Sequence, residues 1–277
     1  MSSAKNASLS SRDSAMKILF FGDIVGKVGR AGVKKVLPDL IKKHKPDVII
    51  ANAENLAHGT GITPKTVNEL VQAGVQFFTS GNHVWDKPTG EELLQDFNPI
   101  VLRPYNYGNT KSGKGVKELS VGDEKLLVIN LQGQVFMKDE VSNPFVALDE
   151  ILKEHPPKDY QAILVDLHAE ATSEKVAMGW YADGRVSAVV GTHTHVPTAD
   201  ARILPDGTAF ITDVGMTGAN DSVIGVDKEN ILKLFVTGEK KRKEYAEEGT
   251  CFLNAILIDI KEGKATSIEQ IQELVET

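Results

Sequence analysis

The ten residues Val186-Ser187-Ala188-Val189-Val190-Gly191-Thr192-His193-Thr194-His195 carry the clearest signal in this chain. The first five are β-branched and mostly apolar, which predicts an interior strand ending at Gly191. Directly behind it stand two of the chain's seven histidines. In an open α/β sheet, ligands bind just outside the carboxyl ends of the strands. Imidazoles two residues apart in extended chain point to the same side, and a tight loop after a glycine lets them splay toward two neighbouring metal ions. Alone, the stretch fits a polar surface loop equally well.

Working outward, the chain alternates strand and helix signals, which predicts an α/β (α+β layered) fold. Buried strands are expected at Lys17–Asp23, Asp47–Asn52, Val75–Thr79, Leu126–Asn130, Ala162–Asp166 and Ala209–Asp213. Val33, Val36, Leu37, Leu40 and Ile41 form one apolar helical stripe, with Pro38 expected to kink it. Thr63-Pro64 and Gly74 punctuate a second helix carrying Val67, Leu70 and Val71.

After the first strand comes Asp23, after the second Glu54 and Asn55, after the third Asn82 and His83, and after Ala162–Asp166 comes His168. Five strand ends thus deliver oxygen or imidazole groups on one side. This donor set lacks thiolate and suits Fe, Mn or Zn rather than a structural zinc knot. A bridging carboxylate and a metal pair about 3.5–4 Å apart form the usual clamp for phosphoryl transfer. The expected division gives one metal Asp23, Glu54, Asn55 and His195, and the other Glu54, Asn82, His168 and His193.

Bulk properties set the limits. With 277 residues, 41% hydrophobic and 25% charged, the chain has a globular composition. A net charge of -7 argues against a broad nucleic-acid face. No apolar run approaches the ~20 residues that span a bilayer. The single cysteine, Cys251, permits no internal disulfide and fits a cytoplasmic location. Serine-rich residues 1–15 are expected to be a disordered leader or tag remnant, with one domain over 16–277.

The Asp23 strand end, Gly81-Asn82-His83, His168 and Gly191–His195 together resemble the calcineurin-like metallophosphoesterase superfamily. Gly22-Asp23-Ile24-Val25-Gly26, Ala53-Glu54-Asn55, His168–Lys175 and Thr212–Gly218 resemble its bacterial YmdB-like phosphodiesterase branch, from Met16 to about Ile260. The resemblance implies a four-layer α/β/β/α sandwich of two mixed sheets flanked by helices. It also implies hydrolysis of cyclic nucleotides, in particular 2′,3′-cyclic nucleoside monophosphates, with iron as the natural metal.

Two departures from the superfamily stand out. Val25 occupies the place of a ligand histidine, and Ala53-Glu54-Asn55 replaces the usual Gly-Asp-x-x-Asp. The branch resemblance implies that Asn55 fills the gap and Glu54 bridges. His83 is assigned as general acid to the leaving alkoxide, with Asp86 as its candidate support. Asn82, His83 and the loop at Thr192 are the expected substrate contacts. Asp166 and Glu170 are candidates for orienting the ligands.

Other residues carry less. His44, His155 and His58 read as solvated, Trp85, Phe136 and Met137 as core, and Gly238–Glu244 as a solvated charge run. A phosphomonoesterase or protein phosphatase on the same metals, or a nucleotide-binding regulator with little turnover, are the alternatives. The expected partner is a small phosphodiester, without membrane contact; a homo-oligomer stays open.

Overall fold

The computed structural model describes residues 15–277. Strands are β1 (Ala15–Phe21), β2 (Val48–Asn52), β3 (Phe77–Thr79), β4 (Val116–Val121), β5 (Glu124–Gln132), β6 (Ala162–His168), β7 (Ala188–Thr192), β8 (Arg202–Ile203), β9 (Ala209–Ile211), β10 (Gly218–Ala219), β11 (Thr250–Lys261) and β12 (Lys264–Glu276). Helices are α1 (Gly26–His44), α2 (Pro64–Ala73), α3 (Glu91–Gln95), α4 (Pro144–Glu154), α5 (Thr172–Ala182) and α6 (Lys228–Thr237).

Two mixed sheets result. One runs β10-β11-β1-β2-β3, with β12 also on β11; the other runs β4-β5-β6-β7-β9-β8. β1, β2 and β3 are parallel, as are β5, β6, β7 and β9.

Alternation along each strand builds the layers. In β1, Ile18 and Phe20 pack between the sheets against Leu164 and Val190. Leu19 and Phe21 face the other way, against Val33, Leu37 and Leu40 of α1. On the far side Val165 and Leu167 of β6 meet Leu148 and Ile151 of α4 and Met178 of α5. The order is therefore helix, sheet, sheet, helix, the four-layer α/β/β/α sandwich.

Local chemistry explains the helix ends. Thr63 accepts from Thr66 N–H and Pro64 opens α2, while Gly74 closes it at φ 117°. Val67 and Leu70 are buried, whereas Val71 is 38% exposed. α1 runs through Pro38 as one element, and Ile41, at the end of its stripe, is 37% exposed. Of the leader expected over 1–15, residues 1–14 lie outside the described residues, and Ala15 opens β1 opposite Lys261. No helix among the described residues is long and apolar enough to cross a membrane.

Candidate metal centre

Parallel strands aim their carboxyl ends in one direction, so the loops after β1, β2, β3, β6 and β7 meet at one mouth. β7 extends beyond the expected end at Gly191, through Thr192. A Cβ at Gly191 would overlap the carbonyl of Thr212, so glycine permits this close approach. The chain then turns sharply, with His193 at φ 96° and His195 at φ 68°. Such left-handed residues cost about 1–3 kcal/mol each and persist where their surroundings over-determine them.

At the centre is Glu54, 1% exposed. Its ligand atom lies within 4.8 Å of those of His168 and His193, which lie equally close to each other. Asp23, Glu54 and His195 form a second such triad. The two groups share only Glu54, the division expected for a bridging carboxylate. Gly81 completes the cradle, because a Cβ there would overlap Glu54 Oε2 and His168 Nε2.

Three amide or carboxylate oxygens test whether cations fit. Asp23 Oδ1, Asn55 Oδ1 and Asn82 Oδ1 are buried without any hydrogen-bond partner. Buried acceptors are ordinarily satisfied. The Asn55 amide is oriented by its Nδ2, which donates to Gly59 O at 2.9 Å, so Oδ1 is the atom left over. Orphaned acceptors beside two carboxylate–imidazole triads suit hard or borderline cations. The residues present therefore fit a metal pair, with Asn55 and Asn82 as further oxygen donors.

Electrostatics agree with a cation-dependent cluster. Burial works against an ionised Glu54, but the adjacent His168 outweighs it and holds the carboxyl at about 2. His168 is likewise opposed by burial, yet Glu54, Asp23 and Asp166 push it up to about 9. Burial and the neighbouring His168 drive His193 down to about 3. Without a cation, this cluster keeps a proton on His168 beside Glu54; a bound metal replaces it.

The surrounding shell fixes each ring. His168 Nδ1 donates to Thr192 Oγ1 at 2.9 Å, and that hydroxyl donates to Asp166 Oδ1 at 2.8 Å. His193 Nδ1 faces His168 Nε2 at 2.9 Å, while its Nε2 lies 3.2 Å from Glu170 Oε2. His195 Nδ1 donates to Ile224 O at 2.9 Å, leaving Nε2 for the centre. Asp166 and Glu170 thus orient the rings. The Thr192 side chain is wholly buried, its hydroxyl engaged by His168 Nδ1 and Asp166 Oδ1.

A cleft of about 240 Å³ opens onto the centre, walled by Glu54, Asn55, His83, His193 and His195 together with Lys243 and Tyr245. His83 belongs to neither triad. Its Nδ1 lies 2.7 Å from Asp86 Oδ2.

Several residues sit elsewhere than expected. Phe136 is 84% exposed rather than core. His44 is half-buried, with Nε2 unpartnered, and His155 is half-buried against the Tyr160 hydroxyl at 2.8 Å. His58 is exposed, as expected. Lys175 and Asp213 hold the histidine loop from behind; their residue types lie in the quoted stretches, but no sequence signal pairs them, because they lie 38 positions apart and neither touches the cleft.

The fold and this centre define a metallophosphoesterase, and residues 19–271 match the family model described as YmdB-like protein. The chain belongs to that family. It is 48% identical over 258 residues, 92% of its own length and 96% of the relative's, to the 2′,3′-cyclic-nucleotide 2′-phosphodiesterase of Bacillus subtilis. Its structure superposes with TM-score 0.88 on a hypothetical protein from Thermus thermophilus, at 41% identity, covering 95% of this chain and 100% of that one. A novel phosphatase from Mycoplasma pneumoniae gives TM-score 0.88 at 35% identity, with 95% of each chain covered.

Proposed function

We propose that this chain hydrolyses 2′,3′-cyclic nucleoside monophosphates at a dinuclear metal centre, with iron as the resident metal and a reducing cytoplasm as its setting. The pair of triads sharing Glu54 carries this reading, and the 48% identical relative supplies the substrate class. Asp23, Asn55 and His195 would hold one cation and Asn82, His168 and His193 the other, with Glu54 available to both. Bound there, the two cations supply Lewis acidity to the phosphoryl group and lower the pKa of water.

The chain's own residues supply the rest. Buried Glu54 keeps its charge in the wall of the cleft, and Thr192, Glu170 and the Ile224 carbonyl prevent the three ligand imidazoles from rotating. His83, oriented by Asp86, delivers a proton to O2′ as the P–O2′ bond breaks. The product is then a nucleoside 3′-monophosphate. Lys243 is the one lysine or arginine lining the cleft among the described residues. That scarcity of cations suits a singly charged diester better than a doubly charged monoester.

The test is product analysis. Metal-loaded protein given 2′,3′-cyclic AMP is expected to yield 3′-AMP, resolved from 2′-AMP by chromatography, and to leave 3′-AMP intact. Cleavage of aryl monoesters in preference to cyclic diesters would favour the phosphatase reading instead.

A further inference from the structure

We infer that the centre acts on RNA 3′ ends, that is, on oligoribonucleotides terminating in a 2′,3′-cyclic phosphate, and that Lys240, Lys241 and Arg242 hold the phosphates upstream of the end. This rests on the proposed cyclic-nucleotide chemistry and extends it from a free nucleotide to a chain terminus.

The observation is a run of four cations, Lys240-Lys241-Arg242-Lys243, in a protein of net charge -7. All four are exposed. None makes an ion pair or side-chain hydrogen bond among the described residues, where Lys228 and Lys233 on the preceding helix do, with Asp221 and Glu239. The carboxylates bracketing the run are engaged: Glu239 with Lys233 at 2.7 Å, and Glu244 with Asn230 Nδ2 at 3.4 Å. Four adjacent unneutralised cations repel one another, and a polyanion relieves that repulsion.

Position gives the strip its meaning. Lys243 and Val226 form part of the wall of the metal cleft and also of a second cavity of about 190 Å³. Ile231 and Leu234 of α6 floor that cavity, and Lys240, Lys241 and Arg242 rim it. Apolar side chains below a cationic rim match a single-stranded nucleotide, whose base seeks an apolar surface and whose phosphate seeks charge. Phe235, next on α6, is 80% exposed and offers an aromatic face to a further base. At about 240 Å³ the metal cleft is smaller than the usual ~300–1,000 Å³ of small-ligand sites. It suits the terminal cyclic phosphate and ribose, with the preceding nucleotide in the adjoining cavity. The overall negative charge is no obstacle, since this is a local strip rather than a broad basic face.

The chemistry joins this to a reaction sequence. A 2′,3′-cyclic phosphate forms when a ribose 2′-hydroxyl attacks the adjacent phosphodiester and expels the 5′-oxygen. The supplying reaction is therefore endonucleolytic RNA cleavage by internal transesterification, and its product carries upstream phosphates. Here the oxygen of water bonds to phosphorus, the P–O2′ bond breaks, and O2′ takes a proton. The strand leaves with a 3′-phosphate and a free 2′-hydroxyl.

The test compares a five-nucleotide RNA ending in 2′,3′-cyclic phosphate with 2′,3′-cyclic AMP on the metal-loaded protein, over a range of salt. The expected KM for the five-mer is at least about tenfold lower. The triple variant K240Q/K241Q/R242Q is expected to raise that KM about tenfold and to leave turnover of cyclic AMP within about twofold. It should also flatten the salt dependence by about 2 in log–log slope, at ~0.7 per cation for single strands. Five-mer turnover no better than the mononucleotide's, or a variant that impairs both equally, overturns the inference while the cyclic-nucleotide reading stands. A variant that instead changes the sedimentation coefficient assigns the strip to contacts between copies and overturns it too. Absence of turnover on both substrates overturns the two readings together.

Discussion

Lys175 Nζ lies 2.6 Å from Asp213 Oδ2, with both side chains out of contact with water. The same carboxylate oxygen accepts from Thr194 N–H at 3.1 Å and from its hydroxyl at 2.6 Å. Thr194 separates His193 from His195, so a buried ion pair grips the middle of a loop whose flanking residues are both left-handed. Lys175→Met leaves the Asp213 carboxylate buried and unpaired, at an expected cost of about 3–5 kcal/mol. Metal content should fall with it. Urea denaturation and elemental analysis check both, and an unchanged midpoint with full metal content contradicts this role.

His83 is separable from the ligands. Since it belongs to neither triad, His83→Ala should keep both metals while kcat drops by about 10²–10⁴-fold. Asp86→Asn, which weakens the 2.7 Å contact to Nδ1, should give a smaller loss in the same direction. Full turnover by a fully metallated H83A protein removes His83 from the chemistry.

Glu54 differs from every other proposed ligand because both triads contain it. Glu54→Ala is expected to bind neither metal well, whereas His195→Ala and His193→Ala should each weaken one site. Metal titration by calorimetry distinguishes the cases: two retained sites in the Glu54 variant would deny it the bridging place.

Gly81→Ala probes the cradle by size alone. The added methyl group overlaps Glu54 Oε2 and His168 Nε2, so the loop must shift. Overpacking of this kind typically costs about 1–3 kcal/mol. The expected result is a folded protein with reduced metal content; wild-type content would show that the loop accommodates a side chain.

Cys251 should be silent. Burial pushes its thiol up to about 12, leaving almost no thiolate at neutral pH. A chromogenic disulfide reagent at pH 8 is expected to label it only after denaturation. Rapid labelling of native protein would place it in a more open environment.

Much of this was legible in the chain because the informative residues sit where apolar runs stop. Strands such as Ile18–Phe21 and Ala162–Val165 announce themselves, and topology gathers the polar residues behind them at one mouth. What stayed hidden has physical reasons. β12 is rich in glutamate and glutamine, which are poor strand formers, and is held by its long pairing with β11. Thr192 reads as a loop residue because Gly191 looks like a strand terminator, yet the strand passes through it to the next sheet position. Lys175 and Asp213 meet only through tertiary packing between α5 and the chain after β9. α6 carries Ile231, Leu232, Leu234, Phe235 and Val236 but buries none of its residues, so its apolar residues mark no core-facing stripe.

The central claim is two cations sharing Glu54, and anomalous scattering from crystals of the metal-loaded protein tests it most directly. Two peaks about 3.5–4 Å apart are expected, one against Asp23 and His195, the other against His168 and His193, with the Glu54 carboxylate between them. A single peak, or two peaks that do not share Glu54, would contradict it.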